Sequence, residues 1–177
     1  MSDNLFFGPD AQVNHTIGMM QTEKSQGSIT DGARVGPNVF FVIDPEGQIK
    51  GNFETGNGNV LKLSYRIIRP VRWVGLHIAA GNFDLQGRSI AGLICKSHAD
   101  HAVTSRACIR SGYEGGFTDI FLPKHIVSYA EPSTHIDLLQ VEKETDLPKK
   151  ADWRELVIFL PVADTNITIS ELKFFVV

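Results

Sequence analysis

Two apolar runs near the C-terminal end constrain this chain more than any other feature. Trp153 to Pro161 reads WRELVIFLP, and after a short polar break Ile167 to Val177 reads ITISELKFFVV. The first joins an aromatic residue to Leu, Val, Ile and Phe and stops at a proline; the second carries apolar side chains to the last residue. Runs of this composition and length form strands. An exposed edge ending on Phe-Phe-Val-Val invites aggregation, so both strands are expected inside a system of sheets.

The chain upstream repeats that logic in shorter pieces. Asn38–Ile43 is followed by the turn signal Asp44-Pro45-Glu46-Gly47 and by Gln48–Glu54, and Asn57-Gly58 between two strand-like runs predicts a tight hairpin. Leu61, Leu63, Tyr65 and Ile67 alternate with Lys62, Ser64 and Arg66, as a half-buried strand requires. Val71–Ala80 carries Val74, Leu76, Ile78 and Ala80 on one face and Trp73, Gly75, His77 and Ala79 on the other, which suits a central strand whose second face is covered or lines a groove. Further strands are expected at Ser89–Lys96, Val103–Ser111, Phe117–Leu122, His125–Ala130 and Thr134–Glu142, with Lys143–Lys150 as a charged loop. No segment sustains an apolar i, i+3, i+4 pattern of helical length. Residues 1–36 read as an irregular N-terminal arm or loops, with one short strand at Leu5–Phe7 and Met19-Met20 as a packing anchor, and residues 37–177 as the folded domain. About ten strands in one domain predict an all-β, antiparallel β-sandwich of jelly-roll type, in which two sheets bury their facing surfaces against each other.

A chain of 177 residues buries roughly 70% of its unfolded surface, enough for a core that needs no disulfide or metal. The net charge of −3, with acids and bases scattered, leaves no clustered basic face for nucleic acid. No stretch approaches the ~18 consecutive apolar residues of a membrane span, and the opening residues lack a basic segment followed by an apolar run. A cytoplasmic location is the expectation. The two cysteines, Cys95 and Cys108, would face each other if their strands paired about the loop between His101 and Ala102, so a cross-strand disulfide is geometrically open; free buried thiols are the favoured reading.

Trp153, the apolar run to Leu160-Pro161, the polar gap Val162–Asn166 and the pattern Ile167-x-Ile169-x-x-Leu172-x-Phe174 together resemble the last two strands of the galactose-binding-like jelly roll, the fold of many carbohydrate-binding modules. The resemblance spans about Val35 to Val177 in strand count. It implies a sandwich closed by its final strand, and a non-catalytic module that binds a carbohydrate, a glycoconjugate or another polyol. No cofactor is expected, although modules of this kind often hold a structural calcium, for which Asp44, Glu46 and Asp164 are loop oxygens.

Sugars are held by aromatic rings against their apolar C–H faces and by planar donors and acceptors that reach several hydroxyls. Trp73 and His77 on one strand, with Arg106 and Arg110 on another, form the candidate ligand-binding face, suited to a polyol or an acidic sugar. The competing reading makes Trp73 core and the arginines a solvated sheet face. Tyr113, Asp119 and Tyr129, near strand ends, are alternatives. His98, Asp100 and His101 are weak candidates for a metal site, since their spacing matches no established zinc pattern. The serines have no Gly-x-Ser-x-Gly setting and no glycine-rich phosphate loop opens a helix, so an enzyme is not expected, although Glu114, Asp119, Asp137 and Glu142 could pair across strands. The rival to glycan binding is a structural or assembly module whose arm packs on a protein partner or a second copy of the chain.

Overall fold

Alternation of apolar and polar side chains sorts this chain into strands with one buried face, and the computed structural model, which describes residues 8–177, stacks those faces in two antiparallel sheets. In chain order the elements are α1 (Ala11–Thr22), β1 (Gln26–Ser28), β2 (Arg34–Gly36), β3 (Val39–Ile43), β4 (Gln48–Gly56), β5 (Asn59–Arg69), β6 (Val74–Gly81), β7 (Ile90–Ala99), β8 (Val103–Tyr113), β9 (Gly116–Phe121), β10 (Ile126–Ser128), β11 (Ser133–Gln140), β12 (Trp153–Phe159) and β13 (Thr165–Val176). One sheet has six strands in the order β1-β4-β5-β13-β7-β11. The other has seven: β10-β8-β12-β6-β3-β2, with β9 paired to β8. The fold is the all-β jelly-roll sandwich, and the two C-terminal strands lie in the interior of different sheets.

Phe41, Leu76, Ile78, Ile109, Leu156 and Ile158 of the seven-stranded sheet meet Leu61, Leu63, Leu93, Ile167, Leu172 and Phe174 of the six-stranded one in a single buried core. The last strand changes phase to stay in it. Ile167 and Ile169 are buried, then Leu172, Phe174 and Val176, and the switch from odd to even positions coincides with a bulge between Ile169 and Glu171. The Asn57-Gly58 hairpin forms as its sequence predicts: both residues take positive φ, 56° and 83°, and Gly56 pairs with Asn59.

Three readings of the sequence are corrected or narrowed. The stretch expected as loops contains α1, whose buried residues Val13, Thr16, Ile17 and Met20 follow i, i+3, i+4, i+7. Its place is set by tertiary contacts: β5 pairs with β13 only as far as Ile169, and beyond that point Asn14 takes up the open edge, donating from Nδ2 to the Phe174 carbonyl (2.7 Å) and accepting the Phe174 N–H (3.0 Å). Second, the cross-strand disulfide that the sequence left geometrically open does not form, because β7 and β8 belong to different sheets, and the favoured free buried thiols are found. Cys95 points into the core, Cys108 lies on the outer side of its sheet, and both are free. Burial pushes each thiol up to about 12, so neither is a nucleophile at neutral pH. Third, short strands add to the expected set: β1 and β2, three residues each, escape a pattern search that needs at least two alternations. The strand expected at Leu5–Phe7 lies outside the described residues.

Candidate functional site

The pairing register fixes what the outer face of the seven-stranded sheet displays, since directly opposed residues share a face. Four rows cross it. Val42, Gly75, Phe159 and Arg106 form the first; Phe40, His77, Val157, Cys108 and Phe121 the second; Ala79, Glu155, Arg110 and Asp119 the third; Trp153, Gly112 and Phe117 the fourth. Six residue steps along β12 lead from Trp153 to Phe159, so the face runs about 20 Å along the strand at ~3.3 Å per residue.

At the first row lies a groove of about 600 Å³, lined by Trp73, Arg106, Phe121, His125, Phe159 and the turn Pro161–Ala163. Trp73 immediately precedes β6 and is half-buried. Phe121 and Phe159 pack at 5.5 Å between ring centroids, and the Arg106 guanidinium lies 4.0 Å over Phe121. Arg72, beside Trp73, is held by Asp44: Nε donates to Oδ2 and Nη2 to Oδ1, both at 2.8 Å, and Glu46 lies 3.3 Å from Nη2. The Arg72 hydrogen bonds, with backbone N–H groups of Arg72 and Glu46, hold the Asp44 carboxyl well below the usual 3.8. A depressed folded-state carboxyl adds stability above its unfolded value and loses it as pH falls through the folded one. Asp44→Asn is therefore expected to narrow its stability deficit as pH drops below about 4; a urea midpoint difference that stays constant from neutral to strongly acid pH would refute this.

At the other end Trp153 is 39% exposed and Phe117 49%. The indole lies flat on Gly112, where a Cβ would come within 1.9 Å of Trp153 Cε2, so only glycine leaves room for it. Arg110 stacks on Phe117 at 3.9 Å and donates from Nε and Nη2 to the two Asp119 carboxylate oxygens, 2.7 Å each. Tyr113, at the end of β8, is exposed; Tyr129 is exposed beyond β10.

The four residues expected to form the binding face thus occupy different situations. Trp73 and Arg106 share the groove, and Arg110 stands on the same face, paired with Asp119. His77 is corrected: it shares the face but is only 3% exposed, stacked under Phe40 at 5.2 Å and donating Nδ1–H to Glu155 Oε2 at 2.7 Å, a carboxylate being able only to accept. It lies in the floor of the face, beneath Phe40. Trp153 and Phe117 were not picked out as site residues. Their outward positions follow from strand alternation, but the exposure of the indole depends on Gly112 across the sheet.

The weak metal trio does not assemble. His98 faces outward on the other sheet opposite Thr168, Asp100 accepts from Asn166 Nδ2 at 2.8 Å, and among the described residues no three metal-ligating side chains converge. The calcium oxygens are engaged elsewhere: Asp44 by Arg72, and Asp164 by the Ile67 N–H at 2.8 Å.

The outer face of the six-stranded sheet carries grooves of about 600 and 670 Å³, so volume does not separate the two faces. Chemistry does. Those grooves are lined by amides, hydroxyls, charges and aliphatic side chains such as Ile49 and Ile68, and the rings that reach them, Phe53 and Tyr65, are buried core.

No family model and no curated protein sequence matches the chain. Among solved structures, a CBM4 module aligns with a TM-score of 0.60 at 10% identity, covering 92% of this chain and all of its own. The family 11 carbohydrate-binding module of Clostridium thermocellum, in complex with a β-1,3-1,4-mixed-linked tetrasaccharide, aligns at 0.51 and 8% identity, with 87% and 96% covered. The CBM22-1 xylan-binding domain of Paenibacillus barcinonensis Xyn10C aligns at 0.50 and 8% identity, with 89% and 96% covered. The chain has the β-sandwich fold of carbohydrate-binding modules.

Proposed function

We propose that this protein is a non-catalytic carbohydrate-binding module that lays an extended glycan along the outer face of the seven-stranded sheet, between Trp73 and Trp153. The observation that carries the reading is the gathering of solvent-accessible rings, Trp73, Phe117, Phe121, Trp153 and Phe159, on one sheet face of a fold similar to glycan-binding modules. Scattered exposed aromatics are ordinary; five on one face, three of them packed against guanidinium groups, form a platform suited to the C–H faces of sugars. The β-1,3-1,4-mixed-linked tetrasaccharide held by one similar module and the xylan bound by another make a polysaccharide chain the first ligand class to try.

A glycan array on the purified protein, with Trp73→Ala beside it, tests the reading. Binding of a defined glycan class that falls about 5- to 30-fold in a variant whose circular dichroism is unchanged is the expected result. A silent array, or binding unaffected by the substitution, counts against the proposed face.

A further inference from the structure

We infer that the ligand is a uronate-bearing glycan, and that Arg106 receives its carboxylate at the Trp73 end of the face. The inference rests on the glycan-binding reading and specifies its ligand class.

Arg106 is exposed, and its guanidinium makes no hydrogen bond or ion pair with any described residue; its contact is with the Phe121 ring below it. Stacking at 4.0 Å holds the planar group against the groove floor and leaves its N–H donors to the groove. The other arginines of this face are already satisfied, Arg72 by Asp44 and Glu46 and Arg110 by Asp119. The groove itself is lined by two arginines and a histidine and by no aspartate or glutamate. A neutral sugar would use such a guanidinium only as a donor to hydroxyls. A uronate offers two oxygens to the fork, and paired charge-assisted hydrogen bonds are about twice as strong as neutral ones. Phe159 and Trp73 hold the sugar ring next to that contact, while Arg106, seated on Phe121, takes the charged substituent.

The test compares matched chains that differ only in the acid: β-linked mannuronate oligomers against mannan oligomers, and β-linked glucuronate oligomers against cello-oligomers, each by calorimetry at fixed salt. The expected result is preference for a uronate over its neutral counterpart, reduced about 10- to 100-fold in Arg106→Gln. Arg66→Gln, which removes the same charge from the opposite sheet, is expected to keep it. Arg106→Lys keeps the charge and loses the fork, and is expected to fall between. Equal affinity for uronate and neutral chains, or binding of neutral chains alone, overturns the acidic assignment and leaves the glycan reading standing. A uronate preference that Arg66→Gln reduces as much as Arg106→Gln also overturns it, by showing general charge attraction. Binding to none of the four chains overturns it, and the array decides whether the glycan reading falls with it.

Discussion

Arg154→Ala is expected to lower the free energy of unfolding by about 3–5 kcal/mol, the range for breaking a buried, hydrogen-bonded charge site and leaving a cavity. Arg154 is 1% exposed, on the inward side of β12, and among the described residues has no carboxylate within ion-pair distance. Its partners are mostly carbonyls: Nε donates to Phe83 O at 3.0 Å, Nη2 to Pro148 O and Lys149 O at 2.8 and 2.9 Å, and Nη1 to Ser111 Oγ. The guanidinium therefore ties two loop segments to the end of the sheet that carries Trp153. Desolvation draws its pKa down to about 10, partly offset by Asp84, so it stays charged at neutral pH. Arg154→Met separates the two contributions, since it restores volume and supplies no donor. It should recover part of the loss, because stranded buried acceptors cost about 1–3 kcal/mol each. Urea unfolding at neutral pH checks both; a methionine variant as stable as the parent would show that the hydrogen bonds contribute little.

Combining Trp73→Ala with Trp153→Ala is expected to weaken glycan binding by roughly 30- to 1,000-fold, against about 5- to 30-fold for each alone, taking about 1–2 kcal/mol per truncated ring. The two rings sit at opposite ends of a face about 20 Å long, too far apart to share contacts, and distant sites add. Additivity requires a ligand long enough to touch both. A disaccharide should feel one substitution, and a longer oligomer both. If the double variant binds a long oligomer as well as the weaker single variant does, only one ring contacts the ligand and the extended pose is wrong.

Local pattern carried much of this fold. The alternations in β5 and β6, the Asn57-Gly58 hairpin and the apolar C-terminal runs each specify an element through its own residues, and each element is present near its expected bounds. The misses share a cause. α1 has only three aliphatic residues and a threonine on its buried face, with Gly18 interrupting it, and its position depends on Asn14 meeting Phe174, 160 residues away in the chain. Opposition of Cys95 and Cys108 would need strands adjacent in the chain to pair, whereas β7 and β8 part into two sheets.

The candidate site divides the same way. Side-chain alternation along β8 and β12 is a local property, so the sequence by itself determined that Arg106 and Arg110 share a face, and that Trp153 opens a strand whose inward positions are apolar. Accessibility is not local, because it depends on what neighbouring strands place above or beside a side chain. Only the tertiary structure decided that Phe40 covers His77, that Gly112 lets Trp153 lie flat and exposed, and that Asp119 occupies Arg110 while Arg106 keeps a free fork over Phe121.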